Sequence, residues 1–153
     1  MLRVCSVTPM AEINDARVID CVVLDATDRH RRRIVLTGER GTKLLLDLPH
    51  AQALRDGDAL VLEDGSIVRV TGKHEALVEI AAANPQQLAR FAWHIGNRHT
   101  ELEVVGERLR IRRDSVLEEM LRGLGAQLSP IEAPFEPEPG AYAHADRHDG
   151  HEP

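Results

Sequence analysis

The sequence is poor in aromatic residues and cysteines, and it has no long hydrophobic run. Aromatic side chains make up 3% of its 153 residues, and its two cysteines, Cys5 and Cys21, lack CxxC spacing. This cysteine content indicates neither a disulfide framework nor a zinc knuckle, and both side chains are expected to be small buried hydrophobes. No run is long enough to span a membrane, and the N-terminus lacks the apolar core of a signal peptide. A cytoplasmic protein without a membrane partner is therefore expected.

Enzyme motifs are lacking as well. The first half of the chain contains no nucleophile elbow, no phosphate-binding loop and no pair of catalytic carboxylates. The chain is therefore not expected to be an enzyme.

Negative charge is concentrated near the C-terminus. The net charge is −6, and residues 132–153 hold six carboxylates against the single cation Arg147, so five of the six net charges lie there. The same segment carries His144, His148 and His151. Carboxylates and imidazoles together attract divalent cations and repel nucleic acid. The rest of the chain is nearly neutral and poor in aromatics, so no nucleic-acid partner is expected.

Residues 136–153 are predicted to form a flexible acidic tail that contains these histidines. The segment is rich in proline and glycine and has little apolar content. It cannot bury enough surface to offset its chain entropy, so its distal part should be disordered without a ligand. Phe135 and Tyr142 are the apolar side chains expected to hold the first half of this segment to the folded body.

Residues 1–74 are predicted to form a small all-β domain that binds a partner or peptide. Its apolar or alternating runs are Val18–Leu24, Ile34–Leu36, Lys43–Leu48, Ala59–Leu62 and Ile67–Val70. Asp64-Gly65, between the last two runs, is a strong hairpin signal. The basic run Arg29–Arg33 is typical of a solvated turn before a strand, and its alternative interpretation is a docking patch for an acidic partner surface.

The pattern of residues 75–135 predicts six elements in the order β-α-β-β-α-β. The strands are Leu77–Ala81, Leu102–Val105, Arg108–Arg112 and Ala126–Ile131, and the helices are Pro85–Ile95 and one from a Ser115 capping box to Gly125. This is the ferredoxin-like arrangement, with two helices on one face of a four-stranded sheet. RNA-binding RRM domains share it but need aromatic residues on the central strands, which are lacking here. With the β domain and the tail, the chain is predicted to be an α+β protein with a disordered C-terminus.

A histidine lies just beyond the first of these helices. Asn84-Pro85 supplies an N-cap and a first helical residue, and an apolar stripe follows at helical spacing. Gly96 and Asn97 most readily adopt the left-handed conformation that ends a helix. The helix is therefore predicted to stop there, which places His99 in the following loop.

His99 and the tail histidines His144, His148 and His151 are the candidate metal ligands. Imidazole suits nickel, zinc and copper, and the residues alone do not choose among Ni(II), Zn(II) and Cu(II). If the protein is a two-fold dimer, a histidine near the axis meets its own copy and one residue supplies two ligands. His94 is interpreted as a structural hydrogen-bonding residue. The spacing leaves open which tail histidine binds.

Three blocks of residues resemble the UreE family of urease accessory proteins. Its aromatic-His-hydrophobic-Gly-Asn-Arg-His signature is similar to Trp93-His94-Ile95-Gly96-Asn97-Arg98-His99. The second block is Leu48-Pro49 followed by Leu54-Arg55-Asp56-Gly57-Asp58 and Glu63-Asp64-Gly65. The third, just before the histidines of the tail, is Pro134-Phe135-Glu136-Pro137-Glu138-Pro139-Gly140-Ala141-Tyr142.

The resemblance implies a nickel-binding metallochaperone that delivers Ni(II) for assembly of the urease active site. It implies a homodimer whose C-terminal domains pair, with the two copies of His99 binding one Ni(II) and tail histidines completing the coordination. It also implies two partners, the urease accessory GTPase and, through it, the urease pre-activation complex. The N-terminal domain would dock a partner that its sequence does not identify.

The chain departs from parts of the family pattern, and two other functions compete with this interpretation. Some members carry His-x-His where this chain has Arg113-Asp114-Ser115, and some have a far more histidine-rich tail. Peripheral metal sites and large-scale nickel storage are therefore not expected. A protein-binding scaffold with incidental metal binding is the main alternative. A metal-dependent hydrolase would need a general base beside the metal, and neither HExxH nor a carboxylate pair lies near His99.

Overall fold

The protein has the predicted α+β fold. The structure, a computed structural model, describes residues 1–12 and 14–140. Two compact units are present, one over Met1–Lys73 and a second that begins at His74. The tail predicted to be disordered lies, from residue 141 onward, outside the described residues. No helix in the described part of the chain is long and apolar enough to cross a membrane.

The first unit is built on a six-stranded sheet. Its elements are β1 (Leu2–Thr8), β2 (Val18–Leu24), α1 (Ala26–Arg29), β3 (His30–Thr37), β4 (Lys43–Ala53), β5 (Ala59–Leu62) and β6 (Ile67–Gly72). The strand order is β2-β6-β5-β1-β4-β3, and β5 and β6 form the predicted antiparallel hairpin at Asp64-Gly65. Its core is apolar and consists of Val22, Leu36, Leu44, Leu46, Leu54, Leu60, Leu62, Val68 and Val70.

Two features of this sheet differ from the sequence prediction. β1 was not predicted as a strand, although it pairs with both β4 and β5. A register shift between Val4 and Ser6 interrupts its alternation, because a bulge turns the following side chains to the other face. β4 continues past Pro49, which lies where the pairing with β3 skips from Asp47 to Gln52 and no amide donor is required.

The basic run is not a solvated turn. Arg29 ends α1 and is buried, with its Nε donating to the carbonyl of Leu24 and its guanidinium also donating to the carbonyl of Leu54, both at 3.1 Å. The arginines that follow lie in the edge strand β3, where Arg31 pairs with Asp28 and Arg33 with Asp47. The run therefore anchors a helix end and lines a sheet edge. The cysteine prediction was also wrong, because Cys5 is exposed and Cys21 is only half-buried.

The second unit has the predicted βαββαβ order. Its elements are β7 (His74–Ala81), α2 (Pro85–Asn97), β8 (Glu103–Val105), β9 (Arg108–Arg112), α3 (Ser115–Gly123) and β10 (Gln127–Pro134). The antiparallel sheet has the order β10-β7-β9-β8. β10 runs through Pro130 to Pro134, because it is an edge strand and can lack amide donors on its outer side.

The two faces of this second sheet are chemically different. One face packs against the helices through a core of Val78, Ile80, Phe91, Ile95, Leu109, Ile111, Leu117 and Leu121. The opposite face carries ion pairs between β7 and β9. Glu79 accepts from Arg108 at 2.5 Å and from Arg110 at 3.0 Å, and these hydrogen bonds hold the pKa of Glu79 below its usual value.

Candidate metal centre

The helix α2 is held by its cap and by its buried face. The Asn84 side chain accepts from the backbone N–H of Gln87 at 2.8 Å, and the Gln87 side chain accepts from the N–H of Ala83 at 2.6 Å. The first bond supplies an acceptor for a donor that the start of the helix leaves without a partner, and the second ties the helix to the residue before its N-cap. Phe91 and Ile95 are fully buried on the inner face. The end of α2 therefore has a fixed position on the sheet.

The helix runs to Asn97, two residues past its predicted end, and the left-handed conformation falls at His99, not at Gly96 or Asn97 as the sequence suggested. Gly96 and Asn97 belong to the last helical turn, and Arg98 follows as the C-cap. The N–H of His99 donates to the carbonyl of Gly96 at 3.0 Å, and the N–H of Thr100 donates to that of Ile95 at 3.4 Å. His99 itself has a φ of 58°, and no other non-glycine residue in the described chain has a positive φ. This is a Schellman motif with His99 at its left-handed position.

The helix α3 ends in the same motif, with glycine, the residue type that the motif prefers, at the left-handed position. Gly125, with a φ of 95°, donates to the carbonyl of Arg122 at 3.0 Å, and Ala126 donates to that of Leu121 at 2.9 Å. A side chain in the left-handed conformation costs about 1 kcal/mol, which glycine avoids. His99 bears this cost although the same chain uses glycine elsewhere, and strained positions of this kind cluster at functional sites.

The chain is fastened again directly after His99. Glu101 accepts from the Arg112 guanidinium at 2.5 Å, and the Nε of Arg112 donates to Glu75 at 2.9 Å. Leu102 packs against the core of the second unit. His99 is exposed between this anchor and the buried Ile95, so a short loop held at both ends presents its imidazole to solvent.

The other histidines have different surroundings. His94 is half-buried on α2 and meets Trp93 edge-on, with ring centroids 4.9 Å apart and an interplanar angle of 83°. Trp93 is 63% exposed. Among the described residues, no group of three or more His, Cys, Asp or Glu side chains is placed to hold a metal ion. The remaining candidate ligands, His144, His148 and His151, lie outside the described residues.

The start of α3, at Arg113-Asp114-Ser115, is held by two carboxylates, those of Asp114 and Glu118. Asp114, not Ser115, is the N-cap, and its side chain accepts from the N–H of Leu117 at 3.0 Å. The buried Glu118 accepts from the N–H of Asp114 at 2.8 Å and from Arg113 at 3.0 and 3.2 Å. Hydrogen bonds from Arg113 hold the pKa of Glu118 below its usual value, although burial opposes them. This arrangement stabilises the helix start and leaves its carboxylate engaged.

The position of His99 beyond the helix was predicted from the sequence, but the residues that fix its loop were not. Arg112 was predicted only as the last residue of a strand, and Glu75 and Glu101 were not singled out. The alternation of Glu75, Leu77 and Glu79 on β7 was the available signal, because it places two carboxylates on one face of a strand. β9 lies beside β7 with Arg112 opposite Leu77 and Arg110 opposite Glu79, which brings the opposite charges together.

Comparison with protein families gives matches over both units. The family model described as UreE urease accessory protein, N-terminal domain, matches residues 6–72. The family model for the UreE urease accessory protein, C-terminal domain, matches residues 75–153. The second match includes α2 and the His99 loop.

Individual relatives are also similar over most of the chain. The urease accessory protein UreE of Bradyrhizobium sp. (strain BTAi1) is 57% identical over 136 residues, which cover 87% of this chain and 66% of the relative. The protein of the same name from Rhodopseudomonas palustris (strain BisB18) is 54% identical and is covered to 67%. That from Chelativorans sp. (strain BNC1) is 46% identical over 151 residues and is covered to 92%. The chain thus spans about two thirds of the length of the first two relatives.

Proposed function

This chain belongs to the UreE family of urease accessory proteins, and on that premise we propose that it is a nickel-binding metallochaperone. It delivers Ni(II) for assembly of the urease active site and catalyses no reaction itself. The observation that carries the proposal is the exposed imidazole of His99, held at a strained left-handed position between two anchors. Imidazole is a suitable ligand for nickel, and also for the competing ions Zn(II) and Cu(II).

The nickel site is completed by a second copy of the chain and by the tail. In a two-fold dimer the exposed His99 of each chain faces its own copy, so one residue supplies two ligands. His144, His148 and His151 of the tail supply the further imidazoles. This ligand set rests on the exposure of His99 and on the chemistry of the tail sequence.

Such a site suits a protein that must give its metal away. Structural metal sites enclose the ion with four protein ligands and become part of the folding free energy. A site with few ligands at the surface can instead exchange one imidazole for a ligand of the acceptor. The two anchors of the loop keep the imidazole in place while the metal leaves, so unloading requires no unfolding.

The proposed partners are the urease accessory GTPase and, through it, the urease pre-activation complex. Transfer takes place in the cytoplasm without a nucleic acid or membrane partner. In the proposed division of labour, residues 75–135 bind metal and dimerise and residues 1–74 dock a protein or peptide. Residues 136–153 form the acidic tail, whose first residues are held to the second sheet and whose distal part is flexible. Support for this division comes from the position of His99 on the second unit.

The proposal is tested by urease activation in cells that lack their own copy of this protein. With nickel limiting, the wild-type chain should restore urease activity and His99→Ala should not, and excess nickel should reduce the difference between them. His74→Ala removes another exposed imidazole from the same unit and is the matched control. Full activation by His99→Ala at limiting nickel would contradict the proposal and favour a protein-binding scaffold with incidental metal binding.

A further inference from the structure

The segment after β10 crosses the open face of the second sheet. β10 and β8 are the two edge strands of this sheet, with β7 and β9 between them. The N–H of Glu138 nevertheless donates to the carbonyl of Leu102, next to β8, at 2.7 Å. Residues 135–138, which we call the strap, therefore lead the chain from one edge of the sheet to the other.

The strap is almost fully extended. Three strand spacings of about 4.8 Å separate the edge strands, which gives a crossing of about 14 Å. Four residue steps from Pro134 to Glu138, at about 3.4 Å each, cover the same distance. There is no slack in this path, so the position of Glu138 is set by the position of Phe135.

Three contacts hold the strap to the face opposite the helices. Phe135 is fully buried, and the Arg112 guanidinium lies over its ring at 4.7 Å from the centroid. The N–H of Glu136 donates to the Glu103 carboxylate at 3.1 Å, and the N–H of Glu138 donates to Leu102. The intervening Pro137 has no N–H to satisfy and favours an extended backbone.

The far end of the strap lies at the His99 loop. Leu102 follows His99 by three residues, so the two α-carbons are at most about 10 Å apart. Arg112, which covers the Phe135 ring, also binds Glu101 in the same loop. One side chain therefore fastens both the root of the strap and the segment that carries the candidate metal ligand.

We propose that the strap is a positioning element for the nickel site. It fixes the point at which the tail leaves the fold, beside His99, and so raises the effective concentration of the tail imidazoles at a metal bound there. The proposal rests on the proposed function and adds Phe135 and Glu138 to it as positioning residues. Neither residue touches the metal.

The size of the effect follows from the tether. His144 lies six residues beyond Glu138, a reach of up to about 20 Å. If Phe135 is released, the tether begins at Pro134, ten residues before His144 and about 14 Å away across the sheet. A longer tether with a displaced origin lowers the effective concentration about fivefold.

The test is a nickel titration of the wild-type chain and three variants, each with and without residues 143–153. Phe135→Ala should weaken binding about fivefold in the full chain and should have no effect in the truncated one. Glu138→Pro removes the N–H that donates to the Leu102 carbonyl. This variant should bind nickel about twofold more weakly, again only with the tail present. Glu138→Ala keeps that N–H and is the matched control, with wild-type affinity expected. Glu138→Pro still tests the strap if Phe135→Ala does not fold, because Glu138 is exposed.

The outcomes separate this proposal from the proposed function. Wild-type affinity in both strap variants, or equal losses with and without the tail, would overturn the positioning role. A truncated chain that binds as tightly as the full chain would overturn it as well. His99→Ala is titrated alongside, and unchanged nickel affinity in that variant would contradict both proposals. Lost affinity in His99→Ala, together with wild-type affinity in the strap variants, would contradict the strap proposal alone.

Discussion

His99 and Gly125 hold the same place in two helix-ending motifs of one unit, and they differ only in side chain. Both have a positive φ and both donate to the carbonyl three residues back. Glycine adopts this conformation without steric cost, whereas histidine bears a cost of about 1 kcal/mol. The backbone therefore gives no reason for histidine at this position, which leaves a role for the imidazole itself.

Replacing His99 by glycine should stabilise the metal-free protein. His99→Gly relieves the left-handed strain and should raise the free energy of unfolding by roughly 0.5–1 kcal/mol relative to His99→Ala. Urea unfolding followed by Trp93 fluorescence measures this, because Trp93 lies in the same helix. Gly125→Ala is the reciprocal control and should destabilise by about 1 kcal/mol or more, since its added Cβ would also lie 3.0 Å from the Gln87 Nε2. A His99→Gly variant that is less stable than His99→Ala would contradict the strain interpretation.

At the scale of elements, the start of α3 depends on one buried carboxylate. The ordinary pKa of glutamate is about 4.3, and Glu118 titrates below it in the folded protein. Its contribution to stability is therefore fully present above about pH 4.3 and is lost as the pH falls through the lowered value. Glu118→Gln should cost about 2 kcal/mol at pH 7, and the difference from wild type should shrink below pH 4.

Acid and urea unfolding of Glu118→Gln and wild type checks this expectation. Glu119→Gln, which changes an exposed carboxylate in the same turn, is the control and should follow the wild-type pH curve. A stability difference that stays constant from pH 7 to pH 3 would show that Glu118 contributes through packing and not through its charge.

Element types were predictable from the sequence more reliably than element ends. The bounds of β2, β5 and β9 are as predicted, because apolar or alternating runs are bounded there by polar turn residues close in sequence. β1 was missed because its bulge breaks the alternation. The end of β10 was predicted too early because proline usually interrupts a strand. Only the assembled sheet shows that this strand lies at an edge, where Pro130 is tolerated.

The candidate site was predictable only in part, because some of its features depend on neighbouring residues and others on the assembled sheet. His99 follows an amphipathic helix and a glycine, so its place in a loop could be inferred. Which residue takes the left-handed conformation could not, because Gly96, Asn97 and His99 are close together and the packing of Ile95 decides where the helix ends. The contact of Arg112 with Phe135 depends on strand order, which no local pattern contains.

At the scale of the whole molecule, nickel binding should depend on pH in the way that imidazole ligands require. Imidazole binds metal only as the neutral base, and an ordinary imidazole is protonated below about pH 6.5. Nickel affinity should therefore fall steeply below about pH 6, with more than one proton taken up per metal released. A carboxylate site would hold its metal until roughly pH 4–5. A flat affinity profile from pH 5 to 8 would exclude histidine as the main ligand.

The most direct test of the nickel site is a calorimetric titration of the metal-free chain with Ni(II), combined with sedimentation to count the chains. The wild-type protein should bind its first nickel with one ion per two chains. His99→Ala should remain folded and dimeric, because the side chain is exposed and outside the core, but should lose this site. The control His74→Ala should keep it. A first site of unchanged affinity and stoichiometry in His99→Ala would contradict the account.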